Sequence, residues 1–310
     1  MYLNEFSQTL APLDMTESQE FASLLQSAGD LGIAHTPNVR YRSRQTVVQG
    51  LRFHFLEWGD PAAPAILLLH GGNQSAHSWD LVSLHLADRY HVLALDQRGH
   101  GDTEWPRDQD SSVEAKAADA LDFLADQGLE RPVVMGHSMG GHVTMKMALS
   151  GSLDARGVVL VDVGPELSTA GVEVVHNFVT RNVEFDDLEE FLDNVAKYDR
   201  FRSREHIART VKYNMLRRPD GKYVSKVDHR RISGPPGAPL TVADFQDLAL
   251  PVLVVRGGES DVFEAEAADR FVAALPAGEL VTVPKTGHNV HSGNTPGFLE
   301  AITPFLARLG

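Results

Sequence analysis

An apolar run that ends in a serine between glycines is the feature that most constrains how this chain can fold. Residues 133–135 are Val-Val-Met, and they run into Gly136-x-Ser138-x-Gly140 and Gly141 ahead of a helix-forming stretch. The glycines permit a sharp turn from a strand into a helix, because a Cβ at residue 136 or 140 would collide with the neighbouring backbone. Such a turn exposes the serine oxygen, so Ser138 is a candidate nucleophile.

Other strand-like runs carry polar residues at their ends. Residues 65–69 are apolar and lead into a His-Gly-Gly-Asn turn, whose backbone N–H groups can face an oxyanion. Residues 252–255 form a second run that is followed by Asp261, and residues 280–284 form a third that is followed by His288. A carboxylate just past a strand end is well placed to orient a histidine, so the chain offers an acid and then a base after its serine.

The chain from about residue 46 to its end therefore resembles the α/β-hydrolase superfamily, whose serine, acid and histidine occur in this order. The resemblance implies a mostly parallel sheet of about eight strands flanked by helices, with a helical cap inserted after the sixth strand. It implies a core made of residues 46–164 and 251–310 and a cap made of residues 165–250. Residues 1–45 are then an N-terminal helical extension.

The same resemblance implies a role for each candidate residue. Ser138 attacks a carbonyl carbon, His288 takes its proton, and Asp261 orients the imidazole. The backbone N–H groups of Met139 and Gly72 would hold the negative oxygen, with the residue after Gly72 as the alternative second donor. We expect neither a metal nor an organic cofactor.

Three histidines and a second aspartate compete with these assignments. His291 lies three residues after His288, but His288 directly follows a glycine at the strand end, where the family keeps its histidine. We expect His70 and His100 to be structural. Asp162 rivals Asp261, because it ends the strand that follows the nucleophile helix and some family members take their acid there; the spacing after residue 258 favours Asp261.

The reaction expected from the resemblance is hydrolysis of a carboxylic ester or a lactone. A serine at the turn argues against haloalkane dehalogenases and epoxide hydrolases, which resemble this fold but place an aspartate there. Carbon–carbon hydrolases of the meta-cleavage type are the alternative, although they usually carry a tryptophan shortly after the catalytic histidine, where this chain has Asn289 to Ser292. A ligand receptor or signalling protein that turns over slowly is a second alternative on the same fold.

Composition narrows the partners. The formal charge of −14 argues against nucleic acid and anionic membrane, which need basic patches. The partner that the resemblance implies is a small-molecule ester or lactone substrate. Absence of cysteine excludes disulfides, thiolate metal sites and a cysteine nucleophile, and no HExxH or similar spacing predicts a metal site. The first residues lack a basic segment followed by an apolar run, so we expect a cytoplasmic protein.

Helical patterns in the sequence predict the structure of the cap and of the N-terminal extension. Residues 186–196 and 204–216 predict polar amphipathic helices, and a Pro/Gly-rich stretch at 234–239 predicts a linker back to the core. Thr16-x-x-Gln19 predicts a capping box ahead of an apolar stripe that could pack on its own chain or on a second subunit of a homodimer. Five aromatic side chains of the cap are candidates for a pocket roof: Phe178, Phe185, Phe191, Phe201 and Tyr213.

Overall fold

The computed structural model describes residues 19–37, 39–181, 183–230 and 239–310. Helices and strands alternate along the first half of the chain. Their bounds are α1 (Gln19–Asp30), β1 (Tyr41–Val48), β2 (Leu51–Trp58), β3 (Ala65–Leu69), a 3₁₀ helix (Ala76–Trp79), α2 (Asp80–Leu86), β4 (His91–Leu95), α3 (Val113–Asp126), β5 (Val133–His137), α4 (Met139–Leu149) and β6 (Gly157–Val161).

After β6 the chain leaves the main sheet and returns to it at residue 252. We call residues 165–250 the insert. Its described elements are α5 (Thr169–Arg181), β7 (Glu184–Phe185), α6 (Leu188–Tyr198), α7 (Arg204–Val211), a 3₁₀ helix (Lys212–Asn214), β8 (Met215–Arg217), β9 (Tyr223–Ser225) and a 3₁₀ helix (Val242–Phe245). The chain ends with β10 (Val252–Gly257), α8 (Ala265–Ala274), β11 (Gly278–Val283), α9 (Val290–Gly293) and α10 (Thr295–Leu309).

The main sheet has eight strands in the order β1-β2-β4-β3-β5-β6-β10-β11. The pairs that β2 makes with β1 and β4 are antiparallel, and all the other neighbours are parallel. The mostly parallel α/β-hydrolase sheet expected from the sequence is therefore confirmed. The sheet begins at Tyr41, so β1 lies partly within the range expected for the N-terminal extension.

Helices bury both faces of this sheet, which explains why its central strands are almost continuous apolar runs. Along β3, the side chains of Ile66 and Leu68 pack with α1, α2 and α10, whereas those of Leu67 and Leu69 pack with α3, α4 and α8. Parallel strands covered in this way present their carboxyl ends at one edge, where the connecting turns can place functional groups.

The insert contains more than the polar helices predicted for it. A three-stranded antiparallel sheet in the order β7-β9-β8 accompanies α5, α6 and α7. Its strands are two or three residues long, too short to leave a period-two pattern in the sequence. The predicted linker at 234–239 lies almost wholly outside the described residues.

Helix α1 packs on its own chain. The side chains of Phe21, Leu24 and Ala28 are buried, and the Phe21 ring lies 6.0 Å from the Tyr41 ring. Its apolar stripe thus joins the core beside α2, as expected for an intrachain contact. Thr16 of the predicted capping box lies outside the described residues.

Candidate active site

Ser138 lies at a strained turn between β5 and α4. Its φ is 50° and its ψ is −115°, a conformation that costs a non-glycine residue energy and persists only where the surroundings enforce it. A Cβ at Gly136 would lie 2.2 Å from the Gly140 carbonyl oxygen, and one at Gly140 would lie 2.3 Å from that of Leu69. The predicted reason for these two glycines is therefore confirmed.

His288 lies in the loop after β11 and lines the same pocket as Ser138. Its Nδ1 is 2.8 Å from Oδ2 of Asp162, and both side chains are buried. Because a carboxylate only accepts, Nδ1 carries the hydrogen and Nε2 of a neutral ring is left with its lone pair. The geometry thus prepares Nε2 of His288 to take a proton.

The predicted partnership of Asp261 with His288 is wrong, because Asp162 holds that position. The carboxylate of Asp162 accepts from the backbone N–H of Gly257 at Oδ1 (2.8 Å) and from Oγ of Ser260 at Oδ2 (2.5 Å). Asp261 is exposed, one residue beyond that serine. The physical reason is that the turn after β10 directs the Ser260 hydroxyl inward, and the end of the adjacent strand β6 supplies the acid.

Of the two expected oxyanion donors, Gly72 lies in the turn after β3 and Met139 lies at the start of α4. Gly72 lines the pocket, and a Cβ built on it meets no atom within 4 Å. Met139 is the first residue of α4, so its N–H belongs to the turn that has no intrahelical acceptors and carries the positive end of the helix dipole. The Gly140 N–H donates to the His70 carbonyl oxygen at 3.1 Å, which ties the two turns together.

Asn73, the alternative second donor, is anchored to the insert. Its side-chain Nδ2 donates to the Val179 carbonyl oxygen of α5 at 3.1 Å, and its backbone has a φ of 58°. The residue lines the pocket. Its side chain therefore joins the oxyanion turn to the insert, and its backbone N–H stays the alternative donor.

The structural roles expected for His70 and His100 are confirmed. The Gln97 N–H donates to Nε2 of His70 at 3.1 Å, so Nδ1 of that ring carries the hydrogen and donates to the Gly71 carbonyl oxygen at 2.8 Å. Burial lowers the pKa of His70, which keeps the ring neutral. His100 is buried and its Nδ1 lies 3.0 Å from the Arg98 carbonyl oxygen within the turn.

His291, the rival of His288, lies inside the core. Its ring stacks on Trp79 with centroids 4.0 Å apart, and neither of its nitrogens has a hydrogen-bond partner among the described residues. Burial holds its pKa well below the usual value. The carboxylate contact of His288 and its place in the pocket therefore distinguish the two histidines.

Two residues that the sequence analysis missed support the histidine loop. His137 precedes the serine, and its buried Nε2 lies 2.9 Å from the His288 carbonyl oxygen. Gln74 accepts from the Gly71 N–H at 3.0 Å and donates to Oδ1 of Asn289 at 3.0 Å, so it links the oxyanion turn to the residue after His288. Only their adjacency to the motifs could have pointed to them.

The insert supplies much of the pocket wall, with fewer aromatic residues than expected. Of the five candidates only Phe178 lines the pocket, and it stacks on Tyr198, which the sequence analysis did not select, at 4.4 Å. Phe185 and Phe191 pack in the core of the insert. Tyr213 stacks on His77, and Phe201 lies beside Gly287. The wall-lining residues of the insert are Val175, Phe178, Val179, Val195, Tyr198, Arg202, Thr210, Val211 and Asn214.

One cluster of potential metal ligands lies at the end of β4. It consists of His54, Asp96 and Asp102, whose ligand atoms lie within 4.8 Å of one another. Nδ1 of His54 is 2.7 Å from Asp96, and the ammonium of Lys226 is 2.8 Å from Asp102. The positive charge at this cluster is thus supplied by a lysine, and its hydrogen bonds brace the turn that follows β4.

Within the described ranges, every helix is too short or too polar to cross a bilayer.

A serine on a strand-to-helix turn and a histidine bonded to a buried aspartate, at the edge of this eight-stranded sheet, are features of α/β hydrolases. The chain belongs to the alpha/beta hydrolase family, whose model matches residues 66–301. Esterase Rv0045c of Mycobacterium tuberculosis is 28% identical over 297 residues, which cover 93% of this chain and 96% of that protein. A 3-hydroxybutyrate-oligomer hydrolase of Cupriavidus necator is 30% identical over 256 residues, which cover 76% and 87%.

A solved structure agrees with these relatives. An alpha/beta hydrolase from Novosphingobium aromaticivorans superposes with a TM-score of 0.76 at 28% identity, covering 86% of this chain and 98% of that one. The named relatives are an esterase and another hydrolase, and they support the assignment of this chain as a hydrolase on the same fold.

Proposed function

We propose that this chain is a serine hydrolase that cleaves a carboxylic ester or a lactone through an acyl-enzyme intermediate. The observation that carries the proposal is that Ser138, on its strained turn, and His288, bonded through Nδ1 to Asp162, line one pocket. The relative named as an esterase supports the choice of substrate.

In the first half of the reaction, Oγ of Ser138 attacks the carbonyl carbon while Nε2 of His288 takes its proton. The carbonyl π electrons move to the oxygen, and the N–H groups of Gly72 and Met139 hold the oxyanion. The imidazolium gives its proton to the leaving alkoxide as the carbon–oxygen bond breaks. Asp162 stabilises the positive ring throughout, since its carboxylate bonds to Nδ1.

In the second half, a water molecule attacks the acyl-enzyme. His288 takes a proton from this water, and the oxyanion forms again at the same two N–H groups. The intermediate collapses, Ser138 recovers its proton from His288, and the carboxylic acid leaves. With a lactone, the alcohol released in the first half stays attached to the acyl group.

We also propose that the insert, residues 165–250, is a cap over a core of residues 46–164 and 251–310, with residues 1–45 as an extension. Helices α5 and α6 contribute Phe178 and Tyr198 to the pocket wall opposite the sheet edge. The bond from Asn73 to Val179 fastens α5 to the oxyanion turn. A cap in this place selects the substrate by the shape of its wall.

Hydrolysis of p-nitrophenyl butyrate by Ser138→Ala tests the proposal. We expect the rate to fall by about 10⁴-fold or more, because the nucleophile is lost, and the far-UV spectrum to stay unchanged. Ser152→Ala, at an exposed serine, is the matched control. Comparable turnover by folded Ser138→Ala would overturn the proposal, and a wild type that releases only one product per chain would instead favour a receptor.

A further inference from the structure

The pocket next to Ser138 carries one permanent charge. Among the described residues that line it, Arg202 is the single member of the group Lys, Arg, Asp and Glu. Its side chain, in the segment between α6 and α7, is 9% exposed. A cation so far removed from water is costly unless an anion or several acceptors compensate for it.

The hydrogen bonds of Arg202 leave part of the guanidinium unused. Nη2 donates to Oγ1 of Thr210 at 2.8 Å and to the His206 carbonyl oxygen at 3.2 Å. Nη1 lies 3.7 Å from Oδ2 of Asp199, which is beyond hydrogen-bond length. Nε is buried and has no hydrogen-bond partner within the part of the chain that the structure describes. A guanidinium has five donors, so this one retains capacity for an acceptor.

Asp199 is a weak partner for this cation. Burial raises the pKa of its carboxyl group more than the nearby Arg202 guanidinium lowers it, and Oδ2 also accepts from Nδ2 of Asn289 at 3.2 Å. The neighbouring Arg209 provides a contrast, since its Nη1 lies 2.9 Å from Asp80 and its side chain does not line the pocket. The Nε of Arg209 is also buried without a hydrogen-bond partner among the described residues, so the two arginines differ in other ways: Arg209 has a close carboxylate, and only Arg202 borders the space where substrate would lie.

We infer that the pocket takes esters or lactones that carry a carboxylate, and that Arg202 binds this carboxylate while Ser138 attacks the ester. This inference rests on the proposed function of the same pocket. A guanidinium fork matches a carboxylate and forms charge-assisted bonds with it. Oδ1 of Asn214 is engaged by Oγ of Ser75 at 2.8 Å, which leaves its amide N–H groups as further donors in the pocket wall. Because the whole chain carries a formal charge of −14, a cation in the pocket would offset the repulsion that an anionic substrate meets.

Paired substrates that differ only in the carboxylate test the inference. Monoethyl adipate against ethyl hexanoate places the charge on the acyl side, and 4-acetoxybutyrate against butyl acetate places it on the alcohol side. For each pair we would measure the ratio of kcat/KM for the charged ester to kcat/KM for the neutral one. We expect the wild type to favour the charged member of one pair by about ten- to a hundredfold, the value of a charge-assisted bond.

Arg202→Gln should bring that ratio close to one, and Arg202→Lys should leave an intermediate ratio. Arg209→Gln is the matched control, because it removes a buried arginine of the same region that does not line the pocket. It should keep the wild-type ratio, and the ratio within each variant is insensitive to a loss of folded protein.

Two results would overturn the inference: ratios near one for both pairs in the wild type, or an equal fall of the ratio in Arg202→Gln and Arg209→Gln. Either result, with hydrolysis of the neutral esters still abolished in Ser138→Ala, would leave the serine-hydrolase proposal standing. Hydrolysis that survives in Ser138→Ala would contradict the proposed function itself.

Discussion

The strand ends of the main sheet and the helices of the insert border the same pocket, but they bring different kinds of side chain to it. The sheet contributes Ser138, His288 and Asp162, each held by backbone geometry or by hydrogen bonds. The insert contributes mainly apolar side chains, such as Val175 and Phe178, together with the charge of Arg202. Under the proposed function, the strand ends of the sheet carry out the chemistry and the insert selects the substrate.

The largest effect expected is at the acid of the sheet. Asp162→Asn should lower kcat by about 10⁴-fold, because the amide favours the wrong tautomer of His288. Asp261→Asn should stay within about twofold of the wild type, since a surface substitution away from the site has little effect. Ester hydrolysis at one pH measures both, with circular dichroism as the check of folding. A larger fall of kcat in Asp261→Asn than in Asp162→Asn would show that the catalytic acid is Asp261, in the loop after β10.

The sequence predicts the sheet better than it predicts the wall of the pocket. Strands β3, β5, β6 and β10 are buried on both faces, so they appear as apolar runs, and the turn around Ser138 is encoded locally by its glycines. His288 follows from its place after the last strand.

The sequence could not decide in the same way which aspartate bonds to His288. Asp162 and Asp261 follow the neighbouring strands β6 and β10, so both reach the same edge of the sheet. The choice depends on whether Ser260 or Asp261 turns inward, which is a tertiary property of one loop. Tyr198, Arg202 and Asn214 were missed because their directions depend on how the insert packs.

The second largest effect is expected in the insert, where two substitutions should distinguish a side chain that stabilises the insert from one that selects the substrate. Phe191 is buried in the core of the insert, so Phe191→Ala should lower the free energy of unfolding by about 3–5 kcal/mol and reduce the hydrolysis of all esters in common. Phe178→Ala, at the pocket wall, should instead change the ratio of kcat/KM for bulky and short esters. Urea unfolding and a series of p-nitrophenyl esters provide these measurements. Equal losses on every ester in both variants would remove the selective role of Phe178.

A smaller effect concerns the pH dependence of the free energy of unfolding, to which the core and the insert should both contribute through a buried histidine. Burial lowers the pKa of His291 in the core and lowers that of His206 in the insert to about 3. The unfolded chain binds protons on these rings below about pH 6.5, whereas the folded chain keeps His206 neutral down to about pH 3 and His291 neutral until well below pH 6.5. The free energy of unfolding should therefore be fully present above that pH and decrease as pH falls, by about 1.4 kcal/mol per pH unit for each ring.

Urea unfolding at pH 7 and pH 5 checks this expectation. His291→Phe and His206→Gln should each make the free energy of unfolding less dependent on pH than in the wild type. An unchanged dependence in His291→Phe alone would show that this ring charges in the folded core.

The smallest effect is expected at the hydroxyl that supports the acid. Oγ of Ser260 donates to Oδ2 of Asp162, the same oxygen that accepts the hydrogen bond from Nδ1 of His288. Ser260→Ala should lower kcat by about tenfold, the value of one hydrogen bond to a charged group, and leave KM unchanged. Ser260→Thr keeps the hydroxyl and should recover most of the rate. A change confined to KM would assign this serine to the pocket wall instead.

The most direct test of the division between sheet and insert is to trap the covalent intermediate. The protein would be quenched in acid during turnover of p-nitrophenyl butyrate, digested, and analysed by mass spectrometry. We expect the butyryl group on the peptide that contains Ser138, and on no peptide of the insert, in the wild type and in Phe178→Ala alike. A butyryl group bound to a residue of the insert, or steady turnover by Ser138→Ala, would contradict the assignment of the chemistry to the strand ends.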